Sequence, residues 1–92
     1  MRKITSEAKK AFEGGYNYKN TNTVVFSKGL YLFGHKIADN ADGLEITNCG
    51  YFTATTKERL NALEGVNIIQ RAGEWYLNGK IWGGEWIKIV TE

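Results

Sequence analysis

The run Trp75-Tyr76-Leu77-Asn78-Gly79-Lys80-Ile81-Trp82-Gly83-Gly84-Glu85-Trp86 gathers all three tryptophans of the chain near its C-terminus and spaces them with turn residues. Asn-Gly tolerates positive φ at both central positions of a two-residue hairpin, so Asn78-Gly79 is the strongest short-range turn signal in the sequence. A segment this rich in glycine and large rings cannot run as a long helix. It folds as tight antiparallel sheet, and its rings serve either a core or a contact surface.

The chain has 92 residues, which predicts a single small domain over 1–92 with a modest core. It has no proline, against an average near 5%, and its 11 glycines take over the turns. The net charge is +2, which argues against a protein that coats nucleic acid through one dominant basic stripe. The charge is uneven, because Arg2, Lys3, Lys9, Lys10, Lys19 and Lys28 face only Glu7 and Glu13 in residues 1–28. Cys49 is the only cysteine, so neither an intrachain disulfide nor a four-cysteine zinc site can form. The start Met1-Arg2-Lys3-Ile4-Thr5-Ser6 has no apolar signal core and no run reaches membrane-spanning length, which predicts a cytoplasmic, intracellular protein.

Along the chain, Thr5–Glu13 reads as a short helix capped by Thr5 or Ser6, with Ala8, Ala11 and Phe12 on one face and Gly14-Gly15 as its stop. Residues 16–22 read as a polar connection. Thr23–Ser27 is a strand, Lys28-Gly29 a turn, and Leu30–Phe33 a second strand that continues past a bend at Gly34 into His35–Ala38. Residues 39–43 form a turn, and Leu44–Thr47 makes the third strand of a meander. A capping box, Thr55-Thr56-Lys57-Glu58, opens a second helix that buries Leu60 and Leu63 and exits at Gly65. Strands at Val66–Gln70, Glu74–Leu77 and Lys80–Trp82 follow, then Trp86–Val90, where alternation puts Ile87 and Ile89 inward and Trp86 and Lys88 outward. The expected class is α+β, in approximate order α-βββ-α-βββ, with one antiparallel sheet of five or six strands and both helices on one face; a small, partly open barrel is the alternative.

The residues that could carry chemistry are few. His35 and Cys49 are the only histidine and thiol, and nothing in the sequence brings them together, so a strand or turn histidine and a small, partly buried cysteine are expected, and no catalytic residues. Asp39, Asp42 and Glu45 lack the spacing of a calcium loop, and neither Gly-Gly pair stands where a phosphate loop needs it. No metal and no cofactor is expected. Tyr16, Tyr18, Tyr31, Phe33, Trp75, Tyr76, Trp82 and Trp86, with Lys19, Lys28, Lys36, Lys80 and Lys88 among them, keep a single-strand nucleic-acid surface open as a reading. The same rings suit a protein contact, because Trp, Tyr and Arg anchor interfaces and an edge strand can pair with another chain.

Two runs, Thr55-Thr56-Lys57-Glu58-Arg59-Leu60-Asn61-Ala62-Leu63 and Trp75-Tyr76-Leu77-Asn78-Gly79, are distinctive. Together with Lys10-Ala11-Phe12, Asn22-Thr23-Val24-Val25 and Trp82-Gly83-Gly84-Glu85-Trp86, they resemble a recurrent type of short, uncharacterised accessory protein of bacteriophages and mobile elements. The resemblance brings no active site with it. It implies a non-enzymatic protein that binds a host protein, as an anti-defence inhibitor would, in the cytoplasm of a bacterial host. The expected contacts are Trp82, Trp86 and Lys88, with Lys57 and Arg59 on the second helix as further ones. A small nucleic-acid-binding domain is the alternative function, and a homodimer the alternative assembly.

Overall fold

The computed structural model describes residues 3–89. Arg2 of the expected basic end, and Val90 of the expected last strand, lie outside them. The order is α1 (Lys3–Gly14), β1 (Tyr18–Asn20), β2 (Thr23–Phe26), β3 (Gly29–Leu32), β4 (His35–Asp39), β5 (Glu45–Ile46), α2 (Ala54–Asn61), β6 (Ile68–Arg71), β7 (Glu74–Leu77), β8 (Lys80–Ile81) and β9 (Ile87–Lys88). The α+β class and the antiparallel pairing are those read from the sequence. The single sheet is not: the strands divide into a six-stranded sheet, β1-β2-β3-β4-β5-β9, and a three-stranded sheet, β6-β7-β8.

The break falls between β5 and β6, where α2 intervenes, and turn chemistry sets the pairing within each sheet. Ser27 and Lys28, Phe33 and Gly34, Ala72 and Gly73, and Asn78 and Gly79 all have positive φ. Each pair forms a two-residue connection whose twist matches that of its flanking strands. Phe33-Gly34 is therefore a full reversal and not a bend, so His35–Asp39 returns as its own strand with Leu32 opposite His35. Ser27-Lys28 takes the turn expected at Lys28-Gly29, and Gly29 joins β3. The polar connection over 16–22 also contains a strand: Tyr18–Asn20 pairs with β2, with Tyr18 opposite Val25. The last strand shortens to Ile87–Lys88, which pairs with β5 at the far edge of the large sheet.

The helices also depart from the expected caps. α1 begins at Lys3, so Thr5 lies within it and is buried. Thr53, and not Thr55, caps α2: its hydroxyl accepts from the Thr56 amide at 3.2 Å. Glu58 does not reach back to close a capping box, because its carboxylate is held elsewhere. Arg59, expected as a surface contact, is only 2% exposed. Its Nε donates to the Thr23 hydroxyl at 3.1 Å, and its Nη1 donates to the Thr5 hydroxyl and to Glu58 Oε1. Thr5 in turn donates to Glu58 Oε1 at 2.8 Å, and Thr23 donates to Asn22 Oδ1 at 2.7 Å. One guanidinium thus ties α1, β2 and α2 together. Planar geometry and a fixed fork of donors let arginine do this where lysine could not.

Around this polar knot lies one apolar cluster. Ala8, Ala11 and Phe12 of α1, Leu30 and Ile37 of the large sheet, Leu60 of α2, Trp75 and Leu77 of the small sheet, and Trp82 just beyond β8 all belong to it. Trp75 stacks at a tilt on Trp82, with centroids 6.3 Å apart, and meets the edge of Phe52 at 5.1 Å.

Two outcomes test this arrangement. Thr5→Val keeps the shape of residue 5 but deletes a donor and an acceptor inside the Arg59 knot, so urea unfolding should show a loss of about 2 kcal/mol, with Thr5→Ser costing less. The Tyr18 phenol donates to Glu7 Oε1 at 3.0 Å. Burial raises its pKa first, helped by the Glu7 hydrogen bond and charge and opposed by Asn20 and Arg59. The folded state therefore favours the neutral phenol: its contribution is whole below the ordinary tyrosine value of about 10 and is lost as pH rises through the higher folded value. Ultraviolet titration of the folded protein should lose a late-titrating tyrosine in Tyr18→Phe.

Candidate interaction surface

The C-terminal segment leaves the small sheet at Ile81 and joins the large sheet at Ile87, so residues 82–86 bridge the two. This bridge is anchored from both sides. Trp82 is 3% exposed; its amide donates to the Trp75 carbonyl at 2.9 Å, and its indole N–H donates to the Glu85 carbonyl at 2.9 Å. Gly84 is pinned to the end of β5: its carbonyl accepts from the Asn48 amide at 3.0 Å and from the Thr47 hydroxyl.

Asn48 itself is buried, and its Oδ1 accepts from the Gly50 amide at 2.8 Å. Gly84 has φ +92, and a Cβ there would stand 2.1 Å from Asn48 Oδ1. Only glycine satisfies both the backbone conformation and the close approach.

Anchoring the bridge leaves the two strands beside it short and open. Among the described residues β8 pairs with β7 alone, and β9 pairs with β5 alone. Between them lies a groove of about 370 Å³, lined by Leu77, Lys80, Ile81, Trp82, Glu85, Ile87, Lys88 and neighbouring residues. Ile81 is 63% exposed, Ile87 38% and Trp86 47%. Ile87 was expected in the core, but pairing at the sheet margin leaves no layer to cover it, and Ile89 alone of the two turns inward. Among the described residues neither Lys80 nor Lys88 forms an ion pair. Lys88 stands opposite Glu45 in the ladder without closing to salt-bridge distance.

The residues expected to contact a partner are therefore divided. Trp86 and Lys88 are exposed beside the groove. Trp82 forms part of its wall while its ring packs into the core. Lys57 is half-buried on α2 and reaches Gln70 Oε1 at 3.4 Å, and Arg59 is committed to the interior. Ile81 and Ile87 join the surface although sequence reasoning passed over them as contacts, and Lys80, read there only as part of a nucleic-acid surface, joins it too. The signal was present in the hairpin itself: a strand of two residues after Asn78-Gly79 exposes its outer edge.

A second apolar site lies beside the β3–β4 hairpin. Leu32, Phe33, His35, Tyr51, Thr53 and Thr56 line a pocket of about 240 Å³. His35 Nε2 lies 3.1 Å from the Tyr51 hydroxyl, with ring centroids 5.0 Å apart. Cys49 is exposed, against the partly buried position expected, and its Sγ donates to the Lys36 carbonyl at 3.3 Å. Among the described residues no group of three or more His, Cys, Asp or Glu side chains is placed to hold a metal ion. No helix there is long and apolar enough to cross a membrane.

Gly84→Ala should cost more than about 3 kcal/mol, the size expected where backbone strain and a steric clash coincide. In a double-mutant cycle read by urea unfolding, Asn48→Ala should cost less beside Gly84→Ala than alone, since it removes the atoms that the new methyl strikes.

No curated protein and no solved structure matches the chain. A family model described as Kyanoviridae Gp96 protein matches residues 1–91, nearly the whole length and both of the distinctive runs. The chain belongs to the Kyanoviridae Gp96 family of small phage proteins.

Proposed function

We propose that this phage protein is a non-enzymatic accessory factor that binds a host protein in the host cytoplasm, through the face built by Ile81, Trp86, Ile87 and Lys88. The observation that carries this reading is the exposure of large apolar side chains, beside uncommitted lysines, where two sheets end against each other. Exposed aromatic and aliphatic groups within a polar rim are what interface anchors look like before they are covered. A rigid, glycine-pinned bridge holds them, so little ordering entropy remains to be spent on binding. The only histidine contacts a tyrosine hydroxyl, and the only thiol contacts a backbone carbonyl. Inhibition of a host defence component is the form of this function that phage membership favours.

The test is affinity capture from host lysate with tagged protein, with and without nuclease and at two salt concentrations. A stoichiometric protein should survive nuclease, and Trp86→Ala and Lys88→Glu should each weaken its recovery about tenfold or more, equivalent to about 1.4 kcal/mol. Recovery that is abolished by nuclease and falls steeply with salt would replace this reading with nucleic-acid binding, because phosphate contacts release counterions.

A further inference from the structure

We infer that the groove between β8 and β9 takes an extended, acidic segment of a partner protein by strand addition; this deepens the proposed function and rests on it. The backbone carries the argument first. Antiparallel ladders alternate between residues whose peptide groups face the partner strand and residues whose groups face away. The Trp82 amide donates to the Trp75 carbonyl, so the next residue back, Ile81, turns its N–H and C=O away from β7. The Ile89 amide donates to the Leu44 carbonyl at 2.8 Å, so Lys88 turns its N–H and C=O away from β5. Ile81 and Lys88 both line the same groove. Two sheet margins therefore offer unpaired backbone donors and acceptors to one space, as strand-addition sites do.

Side chains then select the occupant. The exposed Ile81 and Ile87 side chains give apolar contact for alternate residues of an extended chain, over a wall that includes the edge of the buried Trp82. Within the groove lining Lys80 and Lys88 supply two cations against the carboxylate of Glu85, while Glu45 stands outside the lining, across the ladder from Lys88. Lysine on an edge strand opposes pairing with a like edge. A second copy of this chain would bring the same lysines against themselves, whereas an acidic strand would neutralise them. Like charges facing one another across a ladder destabilise it and opposite charges support it.

The test uses the full chain, isotope-labelled, titrated with the capped peptide Glu-Val-Glu-Val-Glu-Val, with its Lys-Val counterpart, and with the acidic peptide N-methylated at alternate amides. The acidic peptide should shift the Ile81 and Lys88 amides and the Trp82 indole, and bind at least tenfold tighter than the lysine peptide. N-methylation should abolish binding. Lys80→Glu with Lys88→Glu, both at exposed positions, should reverse the charge preference, and Ile81→Pro, which removes an outward N–H, should weaken binding by acidic peptide. Absence of these shifts up to about 1 mM peptide, shifts confined to other surfaces, or equal binding of the N-methylated peptide would overturn the inference. So would sedimentation showing a dimer that Ile81→Pro dissolves, since the groove would then belong to a second copy. Host-protein capture that persists in the Lys80→Glu, Lys88→Glu variant, together with failure of the peptides, would leave the host-binding reading intact and remove strand addition alone. Peptide binding without capture would do the reverse.

Discussion

A buried guanidinium constrains everything else in this molecule. Arg59 lies within the fold with hydroxyls of α1 and β2 and a carboxylate of α2 around it. Taking a cation out of water costs several kcal/mol, and only good hydrogen-bond geometry offsets it. Three separate elements must therefore meet at one point and in one orientation. Such a knot adds less to net stability than its bond count suggests, but it disfavours any packing in which α1 slides along the sheet. For a chain of 92 residues with a limited core, that directional constraint complements non-directional apolar burial.

The same economy explains the open end of the molecule. Tight two-residue turns give short strands within each sheet, and α2 separates the two sheets along the chain. The link between the sheets is the bridge pinned by the Asn48–Gly84 contact, and that pin fixes where β8 and β9 stop. Most small proteins cover or blunt such edges. Here the edges are blunted by brevity and by lysine, while apolar side chains stay exposed beside them. A fold that leaves its least protected backbone and its exposed rings together concentrates binding potential in one place.

Much of this was legible in the residues. The Asn78-Gly79 hairpin and the α+β class follow from local chemistry alone, whereas α2 ends at Asn61 with Ala62 as its C-cap, short of the exit expected at Gly65. Other features depended on distant partners. Phe33, Ala72 and Lys28 occupy positive φ because strand pairing demands a matched twist, and no local preference of those residues announces it. Tyr18–Asn20 became a strand because β2 offered an edge, although its own composition reads as a loop. Arg59 was placed outside because arginine usually is, yet Thr56, Arg59, Leu60 and Leu63 fall at helical spacing on one side, and that stripe already included it. Of the candidate surface, Trp86 and Lys88 were readable from alternation. Ile81 and Ile87 were not, because exposure at a sheet margin is decided by which strands fail to meet.

The central claim is that the edges at β8 and β9 stand open in the free protein. Native-state amide hydrogen exchange, resolved by residue, tests it most directly. The account predicts fast exchange at the Ile81 and Lys88 amides beside strong protection at Trp82 and Ile89, whose amides are paired across their ladders. Strong protection of Ile81 and Lys88 in the isolated monomer would contradict it, since those edges would already be covered.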